Sequence, residues 1–156
     1  MEEKLFLFNP FNIKNIDEKE LASMYQEVFK KIIDDPNSMY QYAHNIEVYS
    51  NLMYICGECI ARFTREIIEL KTKIQISSAK DIVNERNEWL KHNDGKPPAM
   101  SYFEAIATEN NKEDIKRLAD QECLKDRFTN AYDSLEMKCN ALKKKMEAIR
   151  LEENFN

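Results

Sequence analysis

Turn-forming residues are scarce in this sequence. Two glycines and four prolines serve 156 residues, so the chain has few places to reverse direction and its elements must be long. A sheet of short strands joined by tight turns is thereby excluded. Long apolar runs are missing as well. No stretch nears the roughly 18–20 consecutive apolar residues needed to cross a bilayer. The start, MEEKLFLFNPF, puts two acidic residues before a very short apolar run, where a secretory leader has positive charge and a longer apolar core. The expectation is a cytoplasmic protein with no membrane partner. Net basic charge is lacking too, since 23 Lys and Arg stand against 28 Asp and Glu. Affinity for nucleic acid comes largely from cations that displace counterions. The acidic balance therefore excludes a chain that is basic throughout and leaves only local strips.

Catalytic constellations are absent from the pattern. The two histidines, His44 and His92, fall at opposite ends of one helical segment. There is no glycine-rich phosphate loop, no HExxH and no Ser/His/Asp order. The expectation is a non-enzymatic protein with no catalytic residue, cofactor or metal. Cys56 and Cys59 form a CxxC, but they sit inside a helical stretch, and Cys123 and Cys139 are not spaced as a second knuckle. Zinc sites take four tetrahedral ligands, usually from loops. All four cysteines are therefore read as reduced, buried side chains, small and apolar in character.

Charged residues make up 33% of the chain, and apolar residues recur among them at helical spacing. The reading is one all-α domain over 1–156, built as a long antiparallel helical hairpin of coiled-coil type. Residues 1–16 form an apolar arm with Phe6, Phe8 and Phe11. Residues 17–35 hold a short helix, opened by an Asp17–Glu20 capping pattern, running to Ile33 and stopped before Pro36. Ser38 and Gln41 make a second capping box for a helix over 38–92. Along it Tyr42, Ile46, Tyr49, Met53, Cys56, Ile60, Phe63, Ile67, Leu70 and Ile74 alternate in steps of four and three, the coiled-coil period. The seam then slips through Ser78, Ile82 and Trp89, a stutter. Gly57 lies inside it and marks a close helix approach or a bend. Residues 93–100 contain the turn, with Gly95 at a positive φ. Residues 101–152 return in a short helix, opened by Ser101 and Glu104 over Tyr102–Glu109, and a long one from Lys112. The long return helix has its own seam through Ile115, Leu118, Leu124, Phe128, Tyr132, Leu135, Cys139, Leu142, Met146 and Ile149, and a frayed EENFN tail.

Two sets of residues are candidates for function. The apolar residues Tyr42, Ile46, Tyr49 and Met53, with Phe6, Phe8 and Phe11, form a seam for a second copy or a protein partner. Basic residues gather at Arg62 and Arg65, then Lys71, Lys73 and Lys80, then Arg86, Lys91 and Lys96, and finally Lys143, Lys144, Lys145 and Arg150. Trp89, Tyr102 and Phe103 lie near them, placed either to stack on bases or to pack at the hairpin tip. Glu69 and Lys73 are spaced as a solvated helical pair.

The segment Asn45 to Ser50 reads N-I-E-V-Y-S, preceded by Tyr40, Tyr42 and Ala43, and is followed by a long charged helix, a glycine-containing turn and a return helix. Over residues 38–150 this resembles the UvsY-like recombination mediators of tailed phages. The resemblance implies a small helical protein of the host cell cytoplasm that forms homo-oligomers, binds single-stranded DNA and helps load a recombinase. In that family a Lys-x-Arg pair on the long helix contacts DNA. Leu70-Lys71-Thr72-Lys73-Ile74 keeps that pattern with Lys for Arg. Asn84-Glu85-Arg86-Asn87-Glu88-Trp89 keeps the place before the turn, with Arg86 matching and Asn84 in place of the Lys. The resemblance thus makes Lys71, Lys73 and Arg86 candidate DNA contacts, and Lys91, from the basic group approaching the turn, joins them as a fourth. Two other readings stand beside it. One is a phage anti-defence protein, such as a CRISPR inhibitor, or an adaptor, docking on a partner through its hairpin and acidic face. The other is a structural coiled-coil subunit.

Overall fold

A computed structural model describes residues 17–155. The expected arm, with Phe6, Phe8 and Phe11, lies outside the described residues. Helices take up 87% of the described residues and strands none. In chain order they are α1 (Glu18–Phe29), α2 (Met39–His92), α3 (Met100–Asn110) and α4 (Lys112–Phe155). The fold is an all-α helical hairpin. Its packing divides into two compact units. The first joins the described residues up to Ala61 with those from Arg127 onward, and the second is Arg62–Asp126.

In the first unit α1 begins as expected. The Asp17 carboxylate accepts the Glu20 N–H at 2.8 Å, satisfying a donor that the first helical turn would otherwise leave unpaired. The helix stops at Phe29, four residues short of the expected Ile33. The cause is a competing partner. Lys31 and Ile32 close tighter bonds to the Val28 and Phe29 carbonyls. Ile33 then gives both of its backbone groups to one buried side chain: Asn45 Oδ1 accepts its N–H at 2.9 Å, and Asn45 Nδ2 donates to its carbonyl at 2.8 Å. Beside this clamp His44 Nε2 donates to the Lys31 carbonyl at 2.9 Å. The second cap also forms with a shift. Gln41 N–H donates to Ser38 Oγ at 3.3 Å, but the Gln41 side chain accepts from Asn37 rather than Ser38.

Two neighbouring stripes of α2 are buried in this unit. Tyr42, Tyr49 and Cys56 belong to the expected seam, whose Ile46 and Met53 are half-buried. Asn45, Val48, Leu52, Ile55 and Cys59 form a second stripe, one residue out of phase. A buried face that wide needs more than one neighbour. α4 supplies Leu135, Cys139 and Leu142, and α1 supplies Leu21 and Val28. The α2–α4 pairing is antiparallel. The Cys139 thiol donates to the Ile46 carbonyl at 3.6 Å, Lys138 Nζ sits 5.9 Å from the Tyr49 ring centre, and Tyr132 faces Met53, Tyr54 and Gly57. α4 continues to Phe155, through most of the tail expected to fray.

The second unit is thinner. On α2, Phe63, Ile67 and Leu70 are buried, while Ile74, Ser78, Ile82 and Trp89 are half-buried. Gly95 takes the expected positive φ, 135°, and Asn93 Nδ2 donates to the Trp89 carbonyl at 2.9 Å. α3 starts at Met100, two residues before the expected Tyr102. Its N-cap is Ala99, with no side-chain cap bond, so the Ser101–Glu104 box is not used. Phe103 and Ala107 turn inward. One residue, Asn111, separates α3 from α4. It is buried, and its amide donates to the Ala107 carbonyl (2.8 Å) and to Asp81 Oδ2 (3.2 Å). Ile115, expected in the seam, is exposed.

Candidate functional site

The four expected cationic positions lie in the second unit and serve different ends. Lys71 and Lys73 are two residues apart, about 200° around a helix at 3.6 residues per turn. They therefore flank the buried Leu70 seam from opposite sides, and each reaches across to the return helix. Lys71 pairs with Glu122 at 2.8 Å, and Lys73 pairs with Asp114 at 2.6 Å rather than along the helix with Glu69. Both are largely exposed, so each pair is worth little, about 0.2–1 kcal/mol. Together they clasp the hairpin and do not form one strip. Lys91 is bonded to Glu88 at 2.5 Å, and His92 stands 3.6 Å from the same carboxylate. The Lys91 hydrogen bond, with the charges of Lys91 and His92, holds Glu88 below the usual carboxylate range. Arg86 is exposed and has no ion-pair partner among the described residues.

A different grouping emerges from the geometry of α2. The helical period puts Arg65, Lys73, Lys80, Arg86 and Lys91 on one face, roughly 140° wide, turned away from the α4 seam. All five are exposed. The one carboxylate that shares this face between Arg65 and Lys91 is Glu69. The cations run from Arg65 to Lys91, 26 residue steps or about 39 Å of helix. Arg65 and Lys80, like Arg86, have no ion-pair partner among the described residues. Down the middle of the face runs an apolar line of Ile76, Val83 and Leu90, each about half exposed, at seven-residue intervals. The sequence reading placed Arg65 and Lys80 in separate clusters. Their helical angles were the signal that joins them to Arg86.

The aromatics near the turn divide. Phe103 is 2% exposed and belongs to the core, where it meets Tyr102 edge to face at 5.4 Å. Tyr102 is exposed and Trp89 half-buried.

The candidate seam residues sit in the first unit. Tyr42 and Tyr49 are buried within the chain, and Ile46 and Met53 partly so. The cysteines also divide. Cys56, Cys59 and Cys139 are buried as expected, but Cys123 is exposed, because its position on α4 turns away from α2. Burial, with the nearby Cys59 adding, pushes the Cys56 thiol up to about 11. Burial likewise raises the Tyr25 and Tyr49 phenols. No group of three His, Cys, Asp or Glu side chains gathers to hold a metal among the described residues. No helix among them is long and apolar enough to cross a membrane. Comparison with protein-family models, with curated proteins and with solved structures finds no match for this chain.

Proposed function

We propose that this chain is a non-enzymatic, oligomer-forming protein that holds single-stranded DNA along the outer face of α2, as a recombination mediator of the UvsY-like kind would. It would act in the cytoplasm of a phage's host and help a recombinase take its place on the strand. The observation that carries this reading is the segregation of charge. A chain of net charge −5 gathers five exposed cations and one carboxylate on a single face about 39 Å long. Phosphates attract such a strip whatever the base sequence, and release of their counterions drives binding. Arg65, Lys80 and Arg86 are the primary contacts. Lys73 and Lys91 join by exchanging exposed ion pairs of small strength, and Lys71 lies off the face.

The test is fluorescence anisotropy of a labelled single-stranded oligonucleotide titrated with the protein across a range of salt. Five phosphate contacts give a slope of log affinity against log salt of about −3.5, and Lys80→Ala/Arg86→Ala lowers it by about 1.4. Lys71→Ala leaves the slope in place. No binding by folded protein at tens of micromolar and low salt ends this reading.

One observation favours a second reading, docking on a protein. Ile76, Val83 and Leu90 repeat at heptad spacing, as a helix-binding seam does. A seam of this kind with cationic flanks suits an acidic amphipathic helix. Pull-down that is abolished by Val83→Asp, in a protein without affinity for DNA, would select it.

A further inference from the structure

α2 keeps two open surfaces. One lies over Gly57 in the first unit, where a Cβ would meet nothing within 4 Å. No described helix makes the close approach expected there, and no row of charge marks what would cover it. The other is the cationic face of the second unit. Phosphate attraction leaves its apolar line unexplained, since Ile76, Val83 and Leu90 offer nothing to an anion and each is about half exposed.

The width of that line decides what fits it. A helix-binding seam alternates apolar residues in steps of four and three, as α2 does on its buried side from Tyr42 to Leu70. On the open face the large apolar residues come only at every seventh position. Three residues on from Ile76 and Val83 stand Ala79 and Arg86, and four residues on stand Lys80 and Asn87. The line is one side chain wide, too narrow to bury a second helix. A second copy laid on it would also set Lys73 and Lys80 against their own kind, like charge on like.

Charge runs beside the line. Lys73, Lys80 and Lys91 fall about 60–80° around the helix from Val83, all on the same edge. On a helix 10–12 Å across, a 60° step is a chord of about 5–6 Å. A row of positive charge therefore runs parallel to an apolar line a few ångströms away. A single nucleic-acid strand has the matching section, with phosphates along one edge and flat apolar bases along the other. In a duplex the base faces are stacked inside, and the line would meet only sugar and phosphate.

We propose that Ile76, Val83 and Leu90 are the base contacts of this face, seated against unstacked bases while Lys73, Lys80 and Lys91 hold the phosphates beside them. The inference rests on the reading of this face as a strand-binding surface and adds what makes it prefer a single strand to a duplex. Aliphatic side chains can lie against or between bases of any identity, so the preference is for strandedness and not for sequence.

Fluorescence anisotropy of the full chain with two labelled strands of equal length tests this. One strand is of thymidines, and the other is of abasic sites, which carries the same phosphates and no bases. The wild type binds the thymidine strand about tenfold or more tighter, burial of about one methylene-sized group at each contact being enough, with the same salt slope for both strands. Val83→Ser/Leu90→Ser, at exposed positions and with the helical circular dichroism signal kept, brings the thymidine strand down to the abasic affinity and leaves the abasic affinity alone. Lys80→Ala/Arg86→Ala weakens both strands alike. Equal, salt-sensitive binding of both strands by the wild type overturns the base contacts and leaves the phosphate reading standing. So does a preference that survives in the serine variant, which would place the bases elsewhere. Binding of neither strand ends both. Loss of self-association in the serine variant, read by sedimentation velocity, would give the line to a second copy and overturn the assignment.

Discussion

The two units draw on the same pair of long helices and bury them differently. In the first, α2 is covered on two adjacent stripes, by α4 on one and α1 on the other. Leu52, Ile55 and Cys56 are at most 1% exposed there. In the second, α2 has one seam, which thins after Leu70, and Ile68, Ile76, Val83 and Leu90 stay exposed. Polar groups fill part of its interior. Asn111 and Asp81 bond across the hairpin, and the Gln121 Oε1 is buried with no partner among the described residues. The reach of the short helix is the difference. α1 converts the seam of α2 into a core, while α3 buries Phe103 and Ala107 yet leaves Ile76, Val83 and Leu90 of α2 exposed, on the face where the cations gather. The first unit holds the fuller core, and the second leaves more of α2 exposed.

The largest test of that division compares two apolar truncations. Leu52→Ala removes a fully buried side chain and lowers unfolding free energy by about 3–5 kcal/mol. Val83→Ala, on the exposed line, stays within about 0.5 kcal/mol. Urea denaturation followed by circular dichroism reads both. Equal effects would mean that the Val83 face is covered in solution. That outcome would itself locate an interface between copies.

A smaller effect compares two buried asparagines. Asn45→Ala strands the N–H and carbonyl of Ile33 in a partly buried setting, and the expected loss is about 2–3 kcal/mol. Asn111→Ala removes bonds to groups that keep other partners or face water, and the expected loss is nearer 1 kcal/mol. Hydrogen exchange sharpens the comparison. In Asn45→Ala the amide of Ile33 loses protection together with α1, while the amides around Asn111 keep theirs.

These asparagines also show where the sequence stops being legible. The all-α hairpin follows from few turn residues and a four-three repeat, and Tyr42, Tyr49, Cys56, Phe63, Ile67 and Leu70 are buried where that repeat puts them. Val48, Leu52, Ile55 and Cys59 repeat the same steps one residue out of phase, and that doubled pattern is the mark of a third helix. Its first member is Asn45, whose polarity hides the stripe until the bonds to Ile33 are seen. The end of α1 at Phe29 was illegible for the same reason, because a bond twelve residues away decides it. The cationic site was harder still. Lys71 and Lys73 look like one basic pair in the sequence. Only the register of α4 reveals Glu122 and Asp114 as their partners, and only the helical angle groups Arg65, Lys80 and Arg86.

The smallest effect compares cysteines, one from each unit. Cys123, exposed in the second unit, reacts with a thiol reagent in the folded protein at mild pH. Cys56, buried in the first, reacts only as fast as the unit opens. The same burial sets a pH dependence. The Cys56 thiol titrates near 11 in the folded chain against 9.0 for the free group, so between these values the unfolded chain loses a proton that the folded one keeps. By linkage, the stabilisation is full below pH about 9 and is lost as pH rises toward 11. The raised Tyr25 and Tyr49 phenols act in the same direction at the upper end of that window. Urea midpoints should therefore fall from pH about 9 upward, and Cys56→Ala should flatten the first part of the fall. A decline left unchanged by Cys56→Ala would assign the alkaline weakness to groups other than this thiol, the buried Tyr25 and Tyr49 phenols first among them.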